Sequence, residues 1–476
     1  MLFNSIDFAI FMPIVFLLYW FVFNKNLRIQ NLFLIAVSYF FYACWDWRFL
    51  SLILISSVVD FLVGKKLSNE TKKQNRTYLL LTSLFVNLGV LGFFKYYNFF
   101  INSFQEVFMF FGSEFHVSTL KIILPVGISF YTFQTLSYTI DVYKNRISVT
   151  KNPVSFFAFV SFFPQLVAGP IERASNLLPQ FEKTRIMNYA NGVNGLRLIL
   201  LGLFKKMVIA DNCAKVVNEL FEYYPEHSGS TLLFGAFFFA FQIYGDFSGY
   251  TDIAIGCSKL LGFDLMQNFK MPYLSRNLGE FWRRWHISLS TWFRDYVYIP
   301  LGGSRVSKTR IIRNILVVFL LSGLWHGANW TFIIWGLIHA LCFLPLILFD
   351  KNKKFNNIPD ENRILPSFKT CSQILITFLI VVFAWIFFRA ETLFHALQYL
   401  NGIFDETLFS MPQVSKELTL LLTAYMSIEW FQRKKEHVLD IDFINYRPIR
   451  IVIYYLVLFC IVYYSGNTQP FIYFQF

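Results

Sequence analysis

Charged residues are scarce in this chain of 476 residues, and this scarcity limits the class of protein. Asp, Glu, Lys and Arg make up 15% of the chain, against about 25% in soluble globular proteins, whereas 56% of its residues are hydrophobic. Alternating segments of about ten residues, which build outer-membrane barrels, are missing as well. Because a helix needs about 20 apolar residues to cross a bilayer, the apolar runs predict roughly eleven to thirteen transmembrane or re-entrant helices. The sequence therefore predicts an all-α, polytopic integral membrane protein.

Closely spaced cysteines are also missing. Disulfide frameworks and thiolate metal sites are built from neighbouring cysteines, and no C-x-x-C pair occurs among the six cysteines of this chain. We interpret these residues as small buried hydrophobic side chains, and we expect no metal site. They are Cys44, Cys213, Cys257, Cys342, Cys371 and Cys460.

The excess of basic residues, which gives a formal net charge of +13, is concentrated in short loops between the apolar spans. Such loops are typical of the cytoplasmic side of a membrane protein, so the charge does not indicate a nucleic-acid partner. With these loops in the cytoplasm, the spans alternate in direction and leave the tail, residues 466–476, on the extracytoplasmic side. The four basic clusters are Lys65 to Arg76, Arg305 to Arg313, Lys351 to Lys354 and Arg433 to Lys435.

Soluble domains, low-complexity linkers and convincing repeats are not visible in the sequence. We therefore expect residues 1–476 to form a single transmembrane domain. The early spans are almost uniformly apolar, which predicts a ring of lipid-facing helices. Polar residues accumulate between about residues 120 and 345, and intramembrane ionisable groups tend to be functional. We expect the functional centre in that middle region.

Two Trp-His dipeptides, Trp285-His286 and Trp325-His326, lie in this polar middle region. Histidine takes and gives protons near neutral pH. An ionisable group inside a membrane is costly, and it usually faces the protein interior or a water-filled cavity. The two histidines together therefore predict one reaction site.

The segment from Glu280 to Tyr296 has the periodicity of a single amphipathic helix. Trp285 and Trp292 fall on its aromatic face, and His286 falls at the border of that face. An interfacial helix with aromatic anchors and snorkelling arginines has the same pattern. Periodicity alone therefore leaves the role of His286 open.

Small residues surround His326. Gly323 and Gly327 lie four positions apart, a spacing that lets helix backbones approach closely. With Asn329, the segment combines a base, a hydrogen-bonding amide and little side-chain bulk where a substrate could pass. A histidine satisfied by a backbone carbonyl is the structural alternative, because a G-x-x-x-G motif is a weak signal.

Two aspartates, Asp246 and Asp252, interrupt an apolar run. Each carboxylate costs about 2.5 to 3.5 kcal/mol at the middle of a membrane, which predicts that both are paired or hydrated. Arg173 lies in a predicted broken helix, residues 164–175. We expect this segment either to line a cavity or to cap a span. The candidate partners of the aspartates are Arg283 and Arg294.

Taken together, five segments resemble the membrane-bound O-acyltransferase family, and in particular its alginate O-acetyltransferase branch. That branch also contains the membrane subunits of peptidoglycan O-acetyltransferases. The resemblance runs from the first span to the last residue, and several motifs in a fixed order are more specific than any one motif. The segments are Ala168 to Arg173, Tyr244 to Asp252, Glu280 to Ser290, Trp325 to Gly327 and Pro470 to Phe476.

The resemblance implies roles for both histidines. In that family the histidine of the Trp-His-Gly motif is catalytic, which corresponds to His326, and the second histidine of the polysaccharide branch corresponds to His286. It also implies a helical bundle around a central funnel in the bacterial cytoplasmic (inner) membrane. The donor would enter from the cytoplasm and the acceptor from outside. We expect the residues that line this cavity to include Arg173, Asp246, Asp252 and Asn329.

The implied donor is acetyl-CoA, a substrate rather than a bound cofactor. It is a charged cytoplasmic molecule, whereas the acceptor, alginate-like exopolysaccharide or another cell-surface glycan, lies outside. Only the acetyl group needs to cross the membrane. His326 would act as general base toward the attacking hydroxyl, a contribution of typically 10²- to 10⁴-fold, and this step needs no metal.

The aromatic tail resembles the C-terminal motif of a small peptide that works with D-alanyl-transferring relatives, and the tyrosine of that peptide is thought to carry the acyl group. We hypothesise that Tyr473 accepts acetyl, with His326 as base. It would then pass acetyl to an extracytoplasmic, SGNH-hydrolase-like acetyltransferase partner. The alternative is an aromatic anchor at the membrane interface.

Two other functions fit the same sequence. One is a D-alanyl transferase that modifies teichoic acid from a carrier-protein thioester. The other is a non-enzymatic transporter or scaffold, in which both histidines are structural or form a proton relay. Inverted repeats would favour a transporter, and none is visible.

Overall fold

The computed structural model describes residues 1–112, 117–167, 169–352, 354–466 and 469–472. Within these ranges the chain is helical and contains no β-strand, which confirms the predicted all-α class. Six helical segments in the described ranges are long and apolar enough to cross a membrane, and a shorter apolar helix covers Ile6–Val22. The larger predicted number of crossing or re-entrant helices stays a prediction. The six segments are Leu27–Asn69, Lys73–Phe110, Gly229–Leu260, Trp330–Leu348, Phe368–Arg389 and Arg447–Tyr464.

The chain forms two compact units. The first comprises Met1–Gly195 with Cys257–Met266, and the second comprises Leu196–Gly256 with Gln267–Phe476. The α-helices whose residues all belong to the first unit are Ile6–Leu17, Leu27–Asp46, Leu50–Asn69, Lys73–Leu91, Tyr97–Phe110, Ile128–Tyr143, Pro153–Ser161, Phe163–Leu166 and Ala174–Phe181.

A buried carboxylate lies at the centre of the first unit, where helix Leu50–Asn69 packs against two other helices. Asp60 is fully buried and accepts hydrogen bonds from the Ser83 hydroxyl, from Thr139 Oγ1 at 2.9 Å and from Asn87 Nδ2 at 2.9 Å. Uncharged donors on the two neighbouring helices thus satisfy both carboxylate oxygens. The network connects three helices of the first unit.

The predicted broken helix near Arg173 is confirmed. Helix Phe163–Leu166 ends seven positions before Arg173, and helix Ala174–Phe181 begins directly after it, while Ala168 lies outside the described residues. Glu172, between the two helices, is fully buried and accepts hydrogen bonds from the Met266 amide and from Asn176 Nδ2 at 2.8 Å. Burial raises the pKa of Glu172 to about 7, because its charged form is desolvated.

The second unit contains a tight helical hairpin that ends near the Trp-His-Gly motif. Helices Lys308–His326 and Trp330–Leu348 pack along each other. A Cβ atom at Gly323 would collide with the Phe332 carbonyl oxygen of the opposing helix. The predicted close approach of backbones at Gly323 is therefore confirmed.

The second unit contains further α-helices besides this hairpin. Two of them, Tyr189–Leu203 and Gly229–Leu260, also contribute residues to the first unit. The remaining α-helices of the second unit are Asp211–Glu222, Leu278–Arg284, Ile287–Phe293, Phe368–Arg389, Leu393–Ile403, Lys416–Phe431 and Arg447–Tyr464.

A π-helical turn, Phe204–Ala210, continues helix Tyr189–Leu203 and carries two adjacent buried lysines, Lys205 and Lys206. Single π-helical turns are rare and are frequently found at functional sites. Both ammonium groups form ion pairs inside the second unit.

The prediction of one continuous helix from Glu280 to Tyr296 is wrong. Helix Leu278–Arg284 ends before Trp285, and a second helix begins at Ile287. Between them His286 has a left-handed backbone conformation with φ 42° and ψ 55°. Side-chain periodicity does not reveal this break, because it is stabilised by a residue far away in the sequence.

Candidate active site

The two predicted histidines lie side by side in the second unit. The ring centroids of His286 and His326 are 6.3 Å apart. Both side chains are buried, with exposed fractions of 1% and 2%. His326 is the last residue of the first hairpin helix, and His286 lies in the break between two short helices. The tertiary structure thus brings both Trp-His motifs to one place.

Asn268 fixes the tautomer of His286. Its Oδ1 accepts hydrogen bonds from the Ser288 amide at 3.2 Å and the Ser288 hydroxyl at 3.0 Å, and it lies 3.0 Å from His286 Nδ1. Because a backbone amide can only donate, this amide oxygen is an acceptor and Nδ1 carries the proton. His286 Nε2 therefore keeps its lone pair, and it has no hydrogen-bond partner among the described residues.

The environment of His286 favours a neutral imidazole. Burial lowers the pKa of His286 to about 3, because the charged form would be desolvated. Its left-handed backbone is also uncommon for a residue other than glycine, and such strained positions cluster at functional sites. A neutral ring with a free lone pair on Nε2 can accept a hydrogen bond from a substrate hydroxyl.

Aromatic side chains form the walls around both histidines. The rings of Trp335 and Phe388 lie 5.1 Å and 5.3 Å from His326, between centroids. On the side of His286, the Phe247 ring lies 4.6 Å away. Apolar walls of this kind exclude water, so proton transfer to bulk solvent is suppressed and electrostatic interactions are stronger.

Both predicted aspartates are paired with lysines. Asp252 Oδ2 lies 2.7 Å from Lys205 Nζ, and Asp246 Oδ1 lies 2.8 Å from Lys206 Nζ. Lys206 also pairs with Asp211 at 2.8 Å. The prediction that these carboxylates are paired is confirmed.

The predicted arginine partners, in contrast, are wrong. Arg283 donates to the carbonyl oxygens of Asn352 and Phe355, and Arg294 pairs with its neighbour Asp295. The adjacent lysines of the π-helical turn are the partners instead. Charge alone suggested the pairing, but sequence spacing could not identify the partner on another helix.

A cavity of about 870 Å³ lies at the opposite end of the hairpin from His326. Basic side chains of Arg294, Arg305 and Lys308 line it, together with the Gly302-Gly303 turn. Lys308 and His326 are the first and last residues of one helix of 19 residues. At 1.5 Å per residue, roughly 27 Å separate their backbones, close to the ~30 Å thickness of a bilayer core.

Residues 143–388 match the model of the membrane-bound O-acyltransferase family, MBOAT. The match covers more than half of the chain. The chain belongs to this family. Its helical fold and its membrane-spanning segments agree with that membership.

Relatives that match most of the chain are named as O-acetyltransferases. The peptidoglycan O-acetyltransferase of Helicobacter pylori is 38% identical over 452 residues, covering 89% of this chain and 83% of the relative. A protein of Azotobacter vinelandii named probable alginate O-acetylase AlgI is 39% identical over 436 residues, covering 90% and 84%. The teichoic acid D-alanyltransferase of Bacillus subtilis is 31% identical over 284 residues, covering 57% and 70%. The chain is therefore a membrane O-acetyltransferase of the type represented by the first two relatives.

The other predicted site residues have different surroundings. Asn329 caps helix Trp330–Leu348 by accepting from the Thr331 amide at 3.0 Å, and its Nδ2 donates to the Glu391 carbonyl at 2.9 Å. Arg173 is buried in the first unit, directly before helix Ala174–Phe181. Tyr473 lies outside the described residues. The cavity-lining roles of Arg173, Asp246, Asp252 and Asn329 stay predictions.

Sequence reasoning missed several polar residues of this O-acetyltransferase. Lys205 and Lys206 interrupt an apolar run, a signal that could have found them. Glu429 likewise interrupts an apolar helix, and it accepts hydrogen bonds from the hydroxyls of Tyr244 at 2.5 Å and Tyr425 at 2.8 Å. Asn268 gave no comparable signal, because its function depends on a contact with His286, 18 positions later.

A third buried histidine, His339, was also missed. Its ring lies 4.8 Å from that of Trp335, which in turn contacts His326. Neither ring nitrogen of His339 has a hydrogen-bond partner within the described ranges. It interrupts the apolar span Trp330–Leu348, and this could have been noticed in the sequence.

Proposed function

We propose that the protein takes acetyl from cytoplasmic acetyl-CoA and passes it across the membrane for O-acetylation of an extracytoplasmic polysaccharide. His326 acts as the catalytic base, and His286 assists from the adjacent position. The observation that carries this proposal is the buried histidine pair, with ring centroids 6.3 Å apart, inside a chain of the O-acyltransferase family.

The proposed chemistry balances without a metal or redox partner. His326 takes the proton of the attacking hydroxyl, whose oxygen bonds to the acetyl carbonyl carbon. The C–S bond of the thioester breaks, and the thiolate of CoA leaves and takes up a proton. General-base assistance of this kind contributes about 10²- to 10⁴-fold. His286, kept neutral by burial and with Nε2 unpaired among the described residues, accepts a hydrogen bond from the attacking hydroxyl and orients it in the same apolar chamber.

The basic cavity supports a phosphate-bearing donor. Arg294, Arg305 and Lys308 line it, and two of them belong to the basic cluster Arg305 to Arg313, which is typical of the cytoplasmic side. The phosphates of acetyl-CoA are the anions that such side chains bind. Roughly 27 Å of helix separates this cavity from His326. A donor whose phosphates bind in the cavity therefore needs a long arm to bring its acyl group to the histidine. The pantetheine arm of CoA is suited to this arrangement.

Tyr473 is proposed as the carrier that receives the acetyl group. Its phenolic oxygen would attack the thioester and form an acetyl ester, and the ester would then acylate the hydroxyl of the next acceptor. Support comes from the preceding residues, because Phe471 and Ile472 are buried in the second unit, with exposed fractions of 0% and 2%. Phe471 lies against Phe247, which contacts His286.

The final acceptor is proposed to be alginate-like exopolysaccharide or another cell-surface glycan. The names of the Helicobacter pylori and Azotobacter vinelandii relatives support a glycan acceptor. An SGNH-hydrolase-like protein outside the membrane would complete the transfer. In this arrangement the protein lies in the bacterial cytoplasmic (inner) membrane with its C-terminus outside, which agrees with the basic loops on the other side.

The test uses purified protein in nanodiscs with radiolabelled acetyl-CoA. We expect wild type to cleave the thioester, and we expect His326→Ala to lose this activity by at least about 10²-fold. His227→Ala, on a partly exposed loop of the same unit, is the matched control and should behave as wild type. Equal rates in wild type and His326→Ala would contradict the assignment.

Mass spectrometry of the protein during turnover tests the carrier. We expect an acetyl group on Tyr473 in wild type and no adduct in Tyr473→Phe, which should also be inactive in transfer. Tyr463→Phe changes an exposed tyrosine ten positions earlier and is the matched control. A fully active Tyr473→Phe variant would exclude the carrier role without affecting that of His326.

A D-alanyl transferase that acts on teichoic acid is the second candidate. It is favoured by the 31% identity to the Bacillus subtilis enzyme, although that match covers only 57% of this chain. Transfer that starts from a D-alanyl carrier-protein thioester, and not from acetyl-CoA, would establish this alternative. The same nanodisc preparation can be supplied with either donor.

A further inference from the structure

A buried lysine contacts the C-terminal segment, residues 469–472. The ammonium group of Lys206 has three protons and three acceptors at hydrogen-bond distance. Asp211 Oδ1 and Asp246 Oδ1 each lie 2.8 Å from Nζ, and the carbonyl oxygen of Gln469 lies 3.0 Å away. The chain end thus provides the third acceptor of an ammonium group whose side chain is only 1% exposed.

Asp246 connects the lysine to the same segment. Its Oδ1 pairs with Lys206, while its Oδ2 accepts a hydrogen bond from the Ile472 amide at 2.6 Å. Gln469 and Ile472 are therefore both held through backbone atoms. Hydrogen bonds that involve an ionised group are roughly twice as strong as neutral ones. Lys206 and Asp246, the two partners of a buried ion pair, each form one such bond with the segment. Together they form a binding site for a peptide backbone.

Aromatic rings complete this site. The ring of Phe471, between the two anchored residues, lies 4.3 Å from that of Tyr250 and 6.2 Å from that of Phe247, between centroids. Asp246, Phe247 and Tyr250 occupy one turn of helix Gly229–Leu260. The Phe247 ring also lies 4.6 Å from that of His286, between centroids. The bound segment is therefore one aromatic ring away from the histidine pair.

We infer that Lys206 and Asp246 form a backbone-binding socket for residues 469–472 and thereby position the following residue, Tyr473, for acetyl transfer. The two side chains are positioning residues, since they contact the tail and not the reacting atoms. The socket itself follows from the contacts of the described residues. Its role in transfer rests on the proposed function.

Purely structural packing of this segment would not need these contacts. A buried carboxylate and ammonium are costly to desolvate, and apolar packing alone would hold a terminal segment without that cost. In contrast, charged groups that hold two backbone atoms fix the register of the segment along the helix. A carrier residue needs such a fixed position, because a displacement of 1 Å can lower a rate by about 10²-fold.

Hydrogen-exchange mass spectrometry of the full-length protein tests the socket without requiring activity. We expect the C-terminal peptide that contains the Ile472 amide to exchange at least tenfold faster in Lys206→Met than in wild type. Lys205→Met is the matched control, because the Lys205 ammonium pairs with Asp252 and not with the described residues of the segment. Its C-terminal peptide should exchange as in wild type. Equal exchange rates of this peptide in Lys206→Met and wild type would show that the socket does not hold the segment.

Variants of the tail test the positioning role and leave the helical bundle unchanged. Ile472→Pro removes the backbone N–H group of the segment that donates to Asp246 Oδ2, whereas Ile472→Val retains it. We expect kcat for acetyl transfer to fall at least tenfold in Ile472→Pro, with KM for acetyl-CoA within twofold and with Ile472→Val as in wild type. An unchanged kcat in Ile472→Pro would overturn positioning. If wild type itself does not use acetyl-CoA, the proposed function is contradicted. The hydrogen-exchange experiment still tests whether the socket binds residues 469–472.

Discussion

Asp60 in the first unit and Asp246 in the second are both buried carboxylates on long helices, but their partners differ. Asp60 is held by two hydroxyls and an amide. Asp246 is held by a lysine and by the backbone of the chain end. Neutral donors within the bundle satisfy Asp60 completely, which suits a structural role. The ion pair of Asp246 instead binds a separate segment next to the histidines, which suits a functional one.

This comparison predicts that substitutions in the two units affect different quantities. In the second unit, substitutions of the histidine pair and of Asn268 should lower turnover and leave unfolding almost unchanged. In the first unit, substitutions of Asp60 and Glu172 should change stability, while the folded protein retains its turnover. Each variant below can contradict this division.

The largest effect is expected for the histidine pair. Replacing either His326 or His286 by alanine should lower turnover by about 10²- to 10⁴-fold. Residues that act as one unit are not additive, so the double variant should be no slower than the slower single variant. Steady-state rates of all three variants, measured with their unfolding temperatures, check this. Fully additive losses would show that the two histidines act independently.

A smaller loss is expected when the acceptor for His286 is removed. Asn268→Ala leaves the tautomer of His286 undefined, because no amide oxygen then accepts from Nδ1. We expect turnover to fall about 10- to 100-fold, the range found when the partner that orients a catalytic or ligating histidine is lost. Asn268→Asp keeps an acceptor and should retain more activity. Equal rates for both variants would mean that the bond does not orient the ring.

In the first unit, Asp60→Asn should affect stability alone. This substitution replaces one carboxylate oxygen by an NH2 group. That group is a donor, and it would face the donors that now bond to the carboxylate. A buried donor left unsatisfied costs about 1 to 3 kcal/mol. We expect a lower unfolding temperature in detergent and unchanged turnover per folded molecule. Loss of turnover without loss of stability would contradict the structural role of Asp60.

The smallest effect is a pH dependence at Glu172. Its folded pKa, about 7, lies above the value of 4.5 for an exposed glutamate, so the stability that it contributes decreases as the pH rises between these values. Glu172→Gln is neutral throughout this range. We expect its unfolding temperature, relative to that of wild type, to rise between pH 5 and pH 8. A constant difference over that range would show that Glu172 does not change its protonation there.

The sequence alone determined the class of protein and the positions of its most informative residues. Apolar runs and scarce charge predict an all-α membrane protein, because lipid requires internally bonded backbones. The Trp-His dipeptides identified both histidines, and the spacing of Gly323 predicted a close helix approach that the hairpin confirms. These features are local in the chain, so composition and periodicity are sufficient to find them. The order of the motifs indicated the family, which the family match confirms.

Only the tertiary structure decided which groups meet. The break at His286, its bond to Asn268, the choice of lysines over arginines, and the burial of Phe471 and Ile472 all depend on contacts between distant parts of the chain. Hydrophobic periodicity reports which face of a helix is buried, but it carries no information about the partner across the interface. Buried charges have to find a partner, since an unpaired one is too costly. Geometry, and not spacing along the sequence, selects that partner.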